Sequence, residues 1–163
     1  MKKMLNFKFF LVFGVIVFLA SIAASAYLYI EKHSVPECST VVKMFDTLND
    51  GRVIKKVIFI NVIKSGWREA TFEFHGNISD GNKSYLLSRQ VVTEYSYKNG
   101  YYYFNIKEGL VNPRDGVKRP DLNALFPKWK NNLYLHISQL NENSFMFLNN
   151  NVPVFICNKS KHP

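Results

Sequence analysis

The chain has 163 residues, with 21 Lys and Arg against 12 Asp and Glu and a formal net charge of +9. Its 47% hydrophobic and 15% aromatic content can bury a core, which excludes disorder throughout, and two cysteines are too few for a disulfide-dense miniature scaffold. One domain is the default at this length, and the basic excess points to an acidic partner only once it has been placed along the chain.

Met1 to Lys8 carries Lys2, Lys3 and Lys8 and no acid, and Phe9 to Ile30 then runs without a charged residue. As a helix that run spans about 33 Å, enough for a bilayer core of about 30 Å. Lysines on the short N-terminal side hold that end in the cytoplasm, so the remainder is exported. Tyr27 and Tyr29 fall where an aromatic belt meets the outer interface. The resulting plan is a cytoplasmic N-terminus over 1–8, a transmembrane signal anchor over 9–30, a stalk over 31–37 containing Pro36, and an exported β domain over 38–163. The rival reading is a signal peptide cleaved at Ala24-Ser25-Ala26; the apolar run favours the anchor because it continues to Ile30.

Export changes what the charge means. Part of the basic excess belongs to the anchor, and the rest is scattered, densest at Arg52/Lys55/Lys56, Arg114/Lys118/Arg119 and Lys128/Lys130. An exported domain does not meet the chromosome, so nucleic acid is not an expected partner; solvated strand faces and loops account for these bases. Cys38 and Cys157 lie near the two ends of the exported part, and in an oxidising compartment such a pair reads as a structural disulfide. The alternative is two separate thiols, one of them pairing with another protein.

Beyond the stalk the pattern is strand-like. Thr40–Leu48 ends at Asn49-Asp50-Gly51, Val53–Ile63 breaks at Ser65-Gly66, and Ala70–Ile78 alternates Phe72 and Phe74 against Glu73 and His75. Asp80-Gly81-Asn82 turns the chain into Ser84–Tyr97, and Asn99-Gly100 is a type I′ hairpin signal leading into Tyr101–Lys107. Glu108–Lys130 is too punctuated by Gly and Pro for a long helix, although Asp121 can cap one turn reaching Leu125. Leu133–Gln139, Ser144–Leu148 and Val154–Asn158 complete about eight strands. Strands at this spacing make a sandwich or a small antiparallel barrel, and the large aromatics on inner faces favour an all-β, lipocalin-like barrel, closed or open.

No catalytic motif, metal-ligand spacing or phosphate loop stands out, so neither an enzyme nor a cofactor is expected. His75 and His136 read as strand histidines facing solvent. The most suggestive binding feature is the tyrosine-rich hairpin: Tyr95, Tyr97, Tyr101 and Tyr103 are candidate ligand or interface aromatics, and cross-strand pairs that merely stabilise the hairpin are the equal alternative.

These segments resemble the FidL-like family of small inner-membrane proteins of Gram-negative enteric bacteria. The resemblance is carried by the lysine-flanked anchor, the all-β exported part and the tail Leu122-Asn123-Ala124-Leu125-Phe126-Pro127, Leu133–Ile137 and Val152-Pro153-Val154-Phe155-Ile156-Cys157. It implies a single-pass protein of the bacterial inner membrane with its C-terminal domain in the periplasm. Like ToxS-type and VtrC-type proteins, it would form a heterodimer with a membrane-bound winged-helix regulator of the ToxR type. In the VtrC-like case the pair completes a lipocalin-like barrel that senses a small amphipathic, bile-salt-like ligand. Rival expectations are a stand-alone exported small-molecule carrier, which requires a closed monomeric barrel, and an envelope structural factor. An open edge strand would favour the heterodimer.

Overall fold

The computed structural model of the chain describes residues 2–48, 50–123 and 132–160, with side chains from Val12 onward. Asn49 of the first expected turn, the end of the helical turn at Leu125, the Lys128/Lys130 pair and His162 lie outside the described residues. Two compact units divide the chain, residues 1–34 and residues 35–163.

The first unit is one helix, α1 (Lys2–Lys32). Its stretch Val12–Lys32 has a mean hydropathy of 2.1, long and apolar enough to cross a membrane. Within it, residues 12–30 carry no charge, and the side chains are uncovered. α1 ends four residues before Pro36, whose ring could not continue it.

The second unit is an antiparallel barrel closed in chain order: β1 (Cys38–Thr47), β2 (Val53–Gly66), β3 (Glu69–Asp80), β4 (Lys83–Lys98), β5 (Tyr101–Val111), β6 (Leu133–Asn141), β7 (Ser144–Asn149) and β8 (Val152–Lys159). A short helix, α2 (Pro120–Asn123), lies between β5 and β6. Of the two all-β architectures that the strand spacing allows, the chain adopts the barrel. An eight-stranded barrel has an interior just wide enough to fill with side chains, and period-2 alternation delivers them there. Along β2, Ile54, Ile58, Ile60 and Val62 point inward, and Val53, Lys55 and Phe59 point outward.

The turns follow from residues that tolerate positive φ. Asn99 and Gly100 both sit there (φ 54° and 86°) and join β4 to β5; Asn150 and Asn151 (47° and 64°) do the same for β7 and β8. β5 runs beyond its expected end at Lys107, through Gly109 to Val111, because a bulge at Lys107 absorbs one residue opposite Val92 and Thr93. Gly76 of β3 marks a close approach of two backbones. A Cβ there would stand 2.1 Å from the Val57 carbonyl oxygen and 2.9 Å from the Ile58 Cα on β2. Gly76→Ala is therefore expected to cost at least about 1–3 kcal/mol of stability. Thermal unfolding reads this directly; a variant melting with the wild type would contradict the close approach.

Alternate turns of an antiparallel barrel share an end. The β2–β3, β4–β5 and β6–β7 turns lie at the rim where β1 starts, the Cys38 rim; the β1–β2, β3–β4 and β7–β8 turns lie at the opposite, Asp80 rim, towards which β5 runs. Two core clusters fill the space between. Phe72, Val91, Tyr95, Tyr102, Phe104, Leu135 and Phe147 pack with both cysteines in one. Ile54, Ile58, Ile78 and Leu87 pack in the other, closed by Val117 and Leu122 from the β5–β6 connection.

Candidate interaction surface

Register divides the tyrosine hairpin between two faces. Tyr95 pairs with Phe104 and Tyr97 with Tyr102, all on the inner side; Tyr101 and Tyr103 point outward. Tyr95 is only 5% exposed and packs against Tyr102 and Phe104, and its hydroxyl accepts a hydrogen bond from the Val35 amide at 3.3 Å. Tyr97 lies over Tyr102 at the rim, with ring centroids 4.9 Å apart. Burial, then the neighbouring Tyr97 and Tyr95, push the Tyr102 phenol up to about 12, so it stays neutral. Outside, Tyr103 meets Tyr134 edge-on at 5.1 Å, and Tyr101 lies beside His136, whose Nδ1 is 2.8 Å from the Gly100 carbonyl oxygen. The four candidate tyrosines are thus not one surface: Tyr95 is core, Tyr97 is its rim, and Tyr101 and Tyr103 form outer cross-strand pairs. His75 is exposed on the outer face of β3, whereas His136 is half-buried.

The cysteines do meet. Cys38 and Cys157 form a fully buried disulfide with Cα atoms 5.5 Å apart, across the seam between β1 and β8. That seam is short. Cys38 pairs with Lys159 and Ser39 with Asn158, the Ser160 amide donates to the Glu37 carbonyl at 3.3 Å, and among the described residues Thr40–Thr47 is in register with β2 alone. On the outward face beside this edge, exposed Lys43 sits between Val41 and Phe45 (58% and 67% exposed) on β1, and Val152, Val154 and Ile156 face out on β8. A second incomplete seam lies between β5 and β6, where Tyr102–Phe104 pairs with Leu133–Leu135. Among the described residues, Asn105–Val111 has no β6 partner. A β edge of this kind presents N–H and C=O groups to whatever chain can bond them.

At the Asp80 rim, charge rather than apolar surface organises the structure. Arg89 occupies an inward position of β4 and is buried; its guanidinium meets Asp115 (Nε to Oδ2 3.1 Å, Nη2 to Oδ1 3.3 Å), Asn123 Oδ1 at 2.7 Å and the Val117 carbonyl at 3.1 Å. Asp115 also accepts from the Ser88 and Val117 amides, each at 2.9 Å. The β5–β6 connection is thereby fastened along β4, with the Gly116 amide bonded to the Leu86 carbonyl at 2.8 Å. Lys56 likewise points inward and is buried, forming an ion pair with Asp46, so it is not the solvated strand residue that its place in a basic group suggests. Nearer the surface, the Asp80 carboxylate takes both Arg52 and Arg119 at 2.6 Å.

Burial pushes the Asp115 carboxyl up, but hydrogen bonds from Arg89 and from the Ser88 and Val117 amides outweigh it and leave it below the ordinary 3.8. Asp121 is held down to about 2, chiefly by its hydrogen bond with Arg119. Carboxyls whose pKa is lowered by folding stabilise the fold fully above their unfolded value, and that contribution is lost as pH falls through the folded one. Thermal unfolding is expected to hold steady down to about pH 5 and to fall progressively below it. Stability that rose on acidification across this range would contradict the assignment. Salt is expected to weaken the exposed Asp121 pair and to leave buried Asp115 largely untouched.

A scan against family models finds no match, and searches of curated proteins and of solved structures find none either.

Proposed function

We propose that the chain is a membrane-anchored periplasmic accessory protein of the bacterial inner membrane. In this reading its barrel pairs with a membrane-bound winged-helix transcription regulator of the ToxR type, stabilising it or tuning its response to a small amphipathic, bile-salt-like signal. The resemblance to FidL-like proteins supplies the class of partner. The observation that carries the reading is the half-paired β1–β8 seam. Among the described residues Thr40–Thr47 has no β8 partner, and such an edge is a template for a strand of another chain, with Val41, Phe45, Val154 and Ile156 offering apolar contact around Lys43. Apolar α1 serves as the anchor, and a disulfide suits an oxidising compartment.

Closure of the barrel favours a second reading, the stand-alone carrier, because such a carrier requires a closed monomer. The packed interior weighs against it. Phe104, Phe147, Leu87 and Leu122 are fully buried, and each contributes about 1.5–3 kcal/mol through that burial, so a guest displacing them would forfeit it.

Gentle detergent solubilisation of membranes containing the tagged chain tests the pairing. Recovery of a single-span protein with a DNA-binding domain, in proportion to the chain, is the expected result. Recovery of the chain alone would count against the heterodimer and for the carrier.

A further inference from the structure

The two rims differ in chemistry. At the Asp80 rim, Arg52, Arg119, Asp50, Asp80 and Asp121 satisfy one another in ion pairs. At the Cys38 rim, the β2–β3 turn holds out Trp67, at 69% exposed the most exposed large hydrophobic side chain among the described residues. The Arg68 guanidinium lies over its ring, 4.6 Å from the centroid. Tyr97 and Tyr101 flank the next turn at this rim, each half-exposed, with Lys98 between them. The Trp67 turn is fixed rather than loose: Arg68 adopts φ 56°, and its carbonyl accepts a hydrogen bond from the Tyr95 amide at 2.8 Å. With Tyr97 and Tyr101 at the neighbouring turn, the indole gives this rim amphipathic aromatics beside two cations.

What lies within reach is set by the chain. The barrel begins at Val35 and β1 starts at this same rim, while α1 ends at Lys32. Residues 33–37 separate the end of α1 from the start of β1 at this rim, and at about 3.3–3.6 Å per residue that link spans at most about 20 Å. A surface so tethered meets the bilayer at high effective concentration, and even weak attraction suffices to dock it. Trp and Tyr with Lys and Arg beside them are the side chains that settle at the membrane–water interface, apolar bodies toward the acyl chains and polar tips among the headgroups.

We propose that the Cys38 rim of the barrel docks on the phospholipid headgroup layer of the membrane that α1 spans, with Trp67 as the inserted residue and Arg68 and Lys98 among the phosphates. This rests on the membrane-anchor reading given above. Docking would fix which way the barrel faces, leaving the Asp80 rim directed away from the bilayer and β1 upright on it.

The full chain is reconstituted into phosphatidylethanolamine/phosphatidylglycerol vesicles, and Trp67 fluorescence is isolated in two ways: as the sole tryptophan in a Trp129→Phe variant, and as the wild-type signal minus that of Trp67→Phe. Each route keeps the test intact if the substitution used by the other perturbs folding. Docking predicts strong quenching by phospholipids spin-labelled near the headgroup and a several-fold loss of quenching by aqueous iodide relative to free tryptophan amide. A vesicle-integrated chain whose Trp67 is quenched by iodide like free tryptophan, and not by the lipid label, overturns the docking and leaves the rim to a protein partner. Release of the chain from vesicles by alkaline carbonate overturns the anchor reading along with it, so the two failures are distinguishable.

Discussion

Unfolding free energy falls by about 4–5 kcal/mol when Cys38 and Cys157 are both replaced by serine. The bridge closes a loop with a sequence separation of 119, and the entropy that such a cross-link removes from the unfolded chain grows with loop length. Location adds to the effect. The disulfide crosses the seam at which the last strand meets the first, where among the described residues two residue pairs and the Ser160–Glu37 backbone hydrogen bond share that task. Both sulfurs belong to the fully buried cluster, so serine hydroxyls there would also meet an apolar neighbourhood. Urea unfolding of the oxidised wild type against the Cys38→Ser/Cys157→Ser double variant checks this. A difference below about 1 kcal/mol would show that closure of the barrel does not depend on the bridge.

Truncating Arg89 is the second large effect. Arg89→Met leaves the Asp115 carboxylate buried beside Ser88 and Val117 without its cation, and removing one partner from such a pair typically costs about 3–5 kcal/mol. Arg89→Lys does not restore it, because one ammonium cannot reach Asp115, Asn123 and the Val117 carbonyl from the positions a planar guanidinium bridges. Replacing both charges, as Arg89→Met with Asp115→Leu, is expected to recover much of the loss, since no uncompensated charge is then left inside. Hydrogen exchange gives the local readout. The Gly116 amide, bonded to Leu86, loses protection in Arg89→Met before the β2–β3 amides do. Denaturation of Arg89→Met at the wild-type midpoint would contradict a structural role for the pair.

Strand pattern was legible because the alternation is strong. Ile54, Ile58 and Ile60 inside and Lys55 and Phe59 outside leave one register for β2, and Asn99-Gly100 admits little but a hairpin. The large aromatics on inner faces favour the barrel but leave open whether it closes, because closure depends on the pairing of β1 with β8, the two most distant strands in sequence. The tyrosines at 95, 97, 101 and 103 stood out by composition, yet parity separates Tyr95 and Tyr97 from Tyr101 and Tyr103, so composition overstated their unity. Arg89 and Lys56 carried a signal that was passed over, Lys56 because it falls in a basic group with Arg52 and Lys55. Each falls at an inward position of its strand, between Leu87 and Val91 or between Ile54 and Ile58, where a charge demands a partner. Their partners Asp115 and Asp46 could not be picked from sequence, since Asp115 lies in a punctuated connection whose path only the folded barrel defines. Trp67 shows the converse: a turn residue whose interest lies in its exposure, which no pattern in one chain reveals.

Site-specific photo-crosslinking from the outer face of the barrel tests the central claim most directly. A photoreactive residue at Phe45 or Val154, beside the half-paired seam, is compared in intact membranes with one at His75 on the outer face of β3. Partnering at the β1 edge predicts a single adduct with a membrane-bound, DNA-binding regulator from positions 45 and 154 and none from 75. The account is contradicted if positions 45 and 154 give no adduct while the chain is integrated and its disulfide is formed, or if position 75 alone captures the regulator.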